Sequence, residues 1–212
     1  MKFFLIFLAI SLLIISSNGE VFLDDNGKVN ITVFTDANNQ NVFNFFENIL
    51  LPAFEVYKNF TNWQFVAWGN TRRVGNGLEC EGGPRVCFAN RIHRCGLTLT
   101  RDQESTMIFM KCEFDRNNIN NAYHGSYGCA RFAGISILNL DRCVFGPTLD
   151  AVDTDAEEAT QDFLQSVNAI PGVMFNGVVD QNLHRNALDR LDSMLCFALA
   201  ATPDSGVNAC QI

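Results

Sequence analysis

The side chains here with the most chemical reach are eight cysteines: Cys80, Cys87, Cys95, Cys112, Cys129, Cys143, Cys196 and Cys210. A thiolate can attack a disulfide sulfur, and a second thiol can then release the mixed disulfide. Redox pairs of that kind are ordinarily C-x-x-C, and the sequence contains none. An even count in a secretory chain reads instead as four structural disulfides, whose connectivity the sequence leaves open. The histidines His93, His124 and His184 are far apart and form no H-x-x-x-H or H-E-x-x-H arrangement. Solvated or partly buried surface histidines are therefore expected, not a zinc ligand set or a general base. His124-Gly125-Ser126 is not a G-x-S-x-G nucleophile elbow. The acidic run at 150–158 lacks the mid-loop glycine and ligand spacing of a calcium loop and reads as a helix-capping acidic face. No metal and no cofactor are expected.

These groups must be carried by a chain whose start addresses it to the secretory route. Met1-Lys2 precedes an apolar run at 3–15, and Ser17 and Gly19 suit cleavage before Glu20, so residues 1–19 read as a signal peptide. The apolar run is short for a bilayer span, which needs about 20 residues. Residues 20–212 then form one domain. Asn30-Ile31-Thr32 and Asn59-Phe60-Thr61 are N-glycosylation sequons, and Asn59 is the better acceptor because Asn30 falls in a predicted strand. The net charge of -8, with Arg72-Arg73 the only basic doublet, argues against nucleic acid or anionic lipid as a partner.

Val29–Thr35 is rich in β-branched residues and alternates Val29, Ile31 and Val33 with Asn30, Thr32 and Phe34, a strand pattern. Phe43, Phe46, Leu50, Phe54 and Tyr57 then recur three or four residues apart and form the buried face of a helix, within which Pro52 predicts a kink. A second strand is expected at 62–68. Strand, helix and strand make a βαβ unit with a parallel pair. Residues 75–148 change character and hold six of the cysteines, so a disulfide-stapled, mainly helical insertion is expected, with helical pieces at 88–97, 103–114 and 120–135. A helix at 153–166, a strand at 169–175, a hairpin turn at Asn176-Gly177, a return strand at 178–180 and a helix at 184–199 complete the order. That order predicts an α/β, thioredoxin-like fold with an insertion. The Ile170-Pro171 pair falls where this fold keeps a cis-proline facing the active-site helix.

The chain resembles the gamma-interferon-inducible lysosomal thiol reductase (GILT) family, whose signature is CQHGxxxCxxN. The sequence reads Cys80-Glu-Gly-Gly83-Pro-Arg-Val-Cys87-Phe-Ala-Asn90, with the Gln-His pair lost. Cys95 falls on the family's next cysteine, and Cys112, Cys129, Cys143, Cys196 and Cys210 look like its remaining framework. Trp68-Gly69-Asn70 looks like its Tyr-Gly-Asn, Pro52 like its helix proline, and Ile170-Pro171 like its Val-Pro. The resemblance implies a thioredoxin fold and reduction of protein disulfides in acidic compartments.

One departure redirects the functional expectation. Spacing from Val29 and from Pro52 puts the family's catalytic C-x-x-C on Asn39-Gln40-Asn41-Val42, with Asn39 in place of the nucleophile and Val42 in place of the resolving cysteine. An asparagine amide is neither nucleophilic nor redox-active. The expectation is thus a secreted, catalytically inactive family member that binds a protein, such as a host or pathogen surface protein, through the old groove or the stapled insertion. The groove comprises residues 36–42, Trp68-Gly69-Asn70 and Ile170-Pro171. Members lacking the pair occur among secreted insect proteins, so an extracellular fluid such as saliva suits this reading, with the lysosome as the alternative. The alternative function is thiol reduction through a non-standard pair, of which Cys80 and Cys87 are the nearest neighbours in sequence.

Overall fold

The computed structural model describes residues 23–201 apart from 25, 76 and 116–121, together with 205, 207 and 210. The leader expected at 1–19 and the side chain of His124 lie outside the described residues. The central sheet has the order β2-β1-β5. Strand β1 (Val29–Thr35) runs parallel to β2 (Thr61–Ala67), from Val29 opposite Thr61 to Thr35 opposite Ala67. Strand β5 (Gly172–Phe175) pairs antiparallel to β1 on its other side. Being central, β1 is covered on both faces. Val29, Ile31 and Val33 are buried on one, and Phe34 on the other stacks on Phe163 at 4.3 Å between ring centres.

Between β1 and β2 the helical segment runs through α1 (Gln40–Phe45), a π-helical turn at Phe46–Leu50, and α2 (Leu51–Tyr57). The irregularity predicted by Pro52 sits in the turn just before it, since proline has no N–H to give to a carbonyl one turn back. The aromatic stripe packs inward: Phe43, Phe46, Leu50 and Phe54 are buried and Tyr57 is half-buried. Phe43 and Phe46 both meet Phe114 at 5.2 Å, which ties this helix to the inserted region.

That region opens with a hairpin absent from the sequence reading, β3 (Thr71–Val74) with β4 (Gly77–Cys80). Helices α3 (Pro84–Leu99), α4 (Gln103–Glu113), α5 (Ala122–Phe132) and α6 (Ile137–Phe145) follow. The expected pieces at 88–97, 103–114 and 120–135 correspond to α3, α4 and α5, whereas α6 was not foreseen. Cys95–Cys143 links α3 to α6, Cys112–Cys129 links α4 to α5, Cys80–Cys87 joins β4 to α3, and Cys196–Cys210 closes the C-terminal end.

Helix α7 (Leu149–Ser166) begins four residues before the expected start, and α8 (Gln181–Ala200) three before its own. The return strand at 178–180 does not form; a single bridge between Phe175 and Val178 is all that remains of it. Asn176 and Gly177 do make the turn, both with positive φ. Asp180 then leaves the sheet because its carboxylate accepts the Asn182 and Leu183 N–H groups at 2.8 and 2.9 Å and caps α8. Among the described residues no helix is long and apolar enough to cross a membrane.

Candidate functional site

The end of β1 and the start of α1 are joined by residues 36–39, and a ring of hydrogen bonds fixes this junction. Asp36 is nearly fully buried; its Oδ1 accepts from the Asn38 N–H at 3.0 Å and its Oδ2 from the Asn70 N–H at 3.1 Å. Gly69 makes the second bond possible. It sits at φ +62°, and a Cβ built there would lie 2.0 Å from the Asp36 Oδ2. Any side chain would therefore drive the carboxylate away. Asn90, wholly buried on α3, accepts from the Ala37 N–H at 2.8 Å and donates to the Trp68 carbonyl at 3.3 Å. One carboxamide thus bridges the two halves of the junction.

Asn39 is the N-cap of α1. Its side-chain oxygen accepts from the Asn41 N–H at 2.9 Å, while its Nδ2 donates to the Ile170 carbonyl at 3.2 Å. Ile170–Pro171 is a cis peptide bond. The amide therefore spans from the helix start to the proline loop, satisfying one orphan helix donor and one loop carbonyl at once. Val42 is buried in the core, one helical turn on. Asp36, Asn38, Asn39, Gln40, Asn70 and Glu81 line a polar pocket of about 260 Å³. Next to Ile170, whose carbonyl Asn39 engages, a depression of about 420 Å³ is lined by the apolar Phe45, Ile49, Ile170 and Pro171 together with Asn41, Asn44 and Asn48.

The structure thus brings Asn39, Trp68-Gly69-Asn70 and Pro171 to one place, with Val42 beneath. Cys80 and Cys87 flank the polar pocket through Glu81, whose Oε2 accepts from Asn70 Nδ2 at 2.6 Å. All eight cysteines are in disulfides, and none is free. The site holds carboxamides and carboxylates, which donate and accept hydrogen bonds but supply no thiolate. Asn59 is exposed in the turn before β2, away from the groove. Asn30 lies in the central strand, its amide engaged by Asp24 and Asn62.

The histidines differ from expectation. His93 is buried, with Nε2 3.0 Å from Glu113 Oε2, and meets Phe114 edge-on. His184 is also buried; its Nδ1 accepts from the Val173 N–H at 3.2 Å and so holds β5 to α8. Burial, reinforced by the Arg185 charge, pushes the His184 pKa down, in keeping with a ring nitrogen that must stay unprotonated to accept. Asp153 likewise is not part of a solvated helix face. It is buried beneath Arg94, whose Nε donates to Asp153 Oδ1 at 2.9 Å and whose Nη1 donates to the Ala67 carbonyl at 2.9 Å. The Arg94 guanidinium also lies 4.8 Å from the ring centre of buried Trp68. Sequence reasoning missed the burial of Asp36 and the whole Arg94 network. Asn90 was visible only as a motif position, with no hint of its bridging role.

Burial pushes the Asp36 carboxyl above its ordinary range, against the pull of the Asn38 and Asn70 N–H bonds. A carboxyl with a raised native pKa binds its proton more readily when folded, so its contribution to stability falls as pH rises from the ordinary value of 3.8 through the native one. The melting temperature of the parent chain relative to Asp36→Asn should therefore increase on going from about pH 7 to about pH 4.5. A difference that stays flat or shrinks in acid would contradict this assignment.

The family described as "Gamma interferon inducible lysosomal thiol reductase (GILT)" matches residues 30–132. Among solved structures, the oxidoreductase DsbA from Xylella fastidiosa is similar at 11% identity, over 82% of this chain and 88% of that one, with a TM-score of 0.54. DsbL from Salmonella enterica serovar Typhimurium matches at 10% identity over 84% and 92%, with a TM-score of 0.48. A thioredoxin-like oxidoreductase from Silicibacter pomeroyi DSS-3 matches at 15% identity over 84% and 99%, with a TM-score of 0.47. No curated protein matches. The Xylella likeness supports the thioredoxin-like fold and nothing finer. The family match spans β1 to the end of α5, so that stretch of the chain is similar to the gamma interferon inducible lysosomal thiol reductase family.

Proposed function

We propose that this is a secreted member of the family that acts by binding a protein partner and does not exchange disulfides at the ancestral site. One observation carries the reading: the Asn39 side chain caps α1 and bonds the Ile170 carbonyl, filling with a fixed amide the position where a nucleophile would have to move and react. Val42, buried below it, offers no resolving thiol. The binding surface is the paired depression around Asn39, whose amide and apolar lining suits a polypeptide segment, and the partner is a host or pathogen surface protein. Residues 20–212 form one domain, with residues 75–148 as its insertion, and the chain leaves the cell by the secretory route, the lysosome being the alternative destination.

Insulin reduction driven by dithiothreitol tests the reading. The folded protein should add nothing to the uncatalysed rate between about pH 4.5 and about pH 7. Turnover that disappears in a folded Cys80→Ser or Cys87→Ser variant would establish a reductase and sink the binding reading. Secretion carries its own expectation: a single N-glycan at Asn59, seen as one mobility shift on deglycosylation and absent in Asn59→Gln. A shift that survives in Asn59→Gln and vanishes in Asn30→Gln would reverse the assignment.

A further inference from the structure

The polar pocket has one wall that is held differently from the rest. Strands β3 and β4 form a two-stranded sheet that pairs with no other strand among the described residues, and such a hairpin is marginal without outside support. Strand β3 has that support, since Arg73 binds Asp150, Thr154 and Glu157 on α7. Strand β4 ends in Cys80, and Cys80–Cys87 joins it covalently to α3. Glu81, the next residue, is the pocket-lining group of this wall.

Three features of this disulfide fit opening and closing. It closes the shortest loop of the four, with a sequence separation of 7 against 48, 17 and 14, so it constrains the unfolded chain least and its loss costs least. Cys80 is partly exposed at the pocket's edge. Cys80 Sγ also faces an oxygen able to accept an S–H bond, Thr71 Oγ1 at 3.2 Å on the neighbouring strand β3. The Cys80 thiol of the reduced form thus has a partner within the hairpin, and stabilising the reduced form makes a disulfide easier to reduce.

We propose that Cys80–Cys87 is a reducible disulfide whose opening by a dithiol reductant releases β4 and Glu81 from the pocket wall, making the pocket's shape depend on redox state. A thiolate of the reductant attacks Cys80 Sγ, the Cys80–Cys87 bond breaks, and Cys87 leaves as a thiolate that takes a proton from water. The second thiol of the reductant then attacks the mixed disulfide and displaces Cys80. The protein gains two electrons and two protons as a dithiol, and the reductant ends as its own disulfide. This regulation rests on the binding reading of the same pocket, but the test reads the cysteines directly.

Full-length folded protein is equilibrated with graded dithiothreitol, alkylated, and mapped peptide by peptide. Cys80 and Cys87 should be labelled together at a reductant concentration at least about tenfold below that needed for any other pair, with the circular dichroism spectrum retained. Hydrogen exchange across residues 77–82 should then accelerate at least about tenfold, while β1 and β2 are unchanged. Thr71→Val, which removes the acceptor facing Cys80, should raise the required concentration severalfold. Earlier labelling of another pair, reduction of all four together with unfolding, unchanged exchange in β4, or no shift in Thr71→Val would each overturn the proposal. Insulin turnover bears on the binding reading alone.

Discussion

Replacing Asn39 and Val42 together by cysteine is expected to raise insulin-reductase turnover well above that of the parent chain. The first introduced thiol would stand at the N-cap of α1, beside the Ile170 carbonyl that Asn39 now engages. A helix N-terminus can bring a cysteine pKa from about 8.5 to about 7, raising the thiolate share at neutral pH roughly tenfold. The second, in place of Val42, would follow one turn later as the resolving thiol. The cost is moderate: loss of the N-cap is about 1 kcal/mol, and trimming a buried valine costs about 1 kcal/mol more. A folded protein of this size should lose roughly 4–8 °C in melting temperature for that sum. Asn39→Cys alone and Val42→Cys alone should each stay inert in turnover, because one thiol can form a mixed disulfide but cannot release it. A folded but inactive double variant would show that the site has drifted beyond its two sulfurs. Gly172 marks where to look: a Cβ there would come 2.4 Å from Phe163 Cε1, so a side chain beside Pro171 would displace Phe163 from its stack on Phe34.

The largest loss of stability should follow from Asp153→Ala. Arg94 and Asp153 are both buried, and Arg94 Nη2 lies 2.7 Å from Asp153 Oδ1. Removing the carboxylate leaves a buried guanidinium whose hydrogen bond to the Ala67 carbonyl and contact with the Trp68 ring do not neutralise its charge. Breaking a buried pair in this way costs about 3–5 kcal/mol. That corresponds to a fall in melting temperature of roughly 6–20 °C, readable by circular dichroism. Arg94→Met combined with Asp153→Leu should recover most of the loss, since it removes both charges. A single-variant cost below about 1 kcal/mol would mean that water reaches Arg94 in solution.

The contrast between Asn39 and Arg94 explains what could be read from the chain alone. Asn39 was legible because the distance from β1 to the following helix is short and both elements announce themselves, one by β-branched alternation and the other by an aromatic stripe. Arg94 and Asp153 are 59 residues apart on two helices, and nothing local in either helix marks them as partners. Asp153 was misread because an acidic residue in the first turns of a helix ordinarily serves the dipole. His93 and His184 were misread for a related reason, since only tertiary packing supplies the Glu113 carboxylate and the Val173 N–H that let them be buried. The return strand failed on a signal that was present: Asp180 precedes a helical pattern and is a better cap than strand residue. The β3–β4 hairpin is short and largely exposed, and α6 is apolar and amphipathic but only nine residues long, too few turns for its period to stand out from the surrounding loops.

The two hydrogen bonds of Asn39 also bear on the energetics of association. A reactive cysteine pair in this position must shift between bonded and unbonded sulfurs, and the groove around it must accommodate both. The amide has a single arrangement, and it pins the helix start to the proline loop throughout. A partner docking there finds a surface already rigid and need not spend interaction energy on ordering it. On the binding reading proposed above, exchanging two sulfurs for an amide removes a source of conformational entropy from the groove, and that saving appears as affinity.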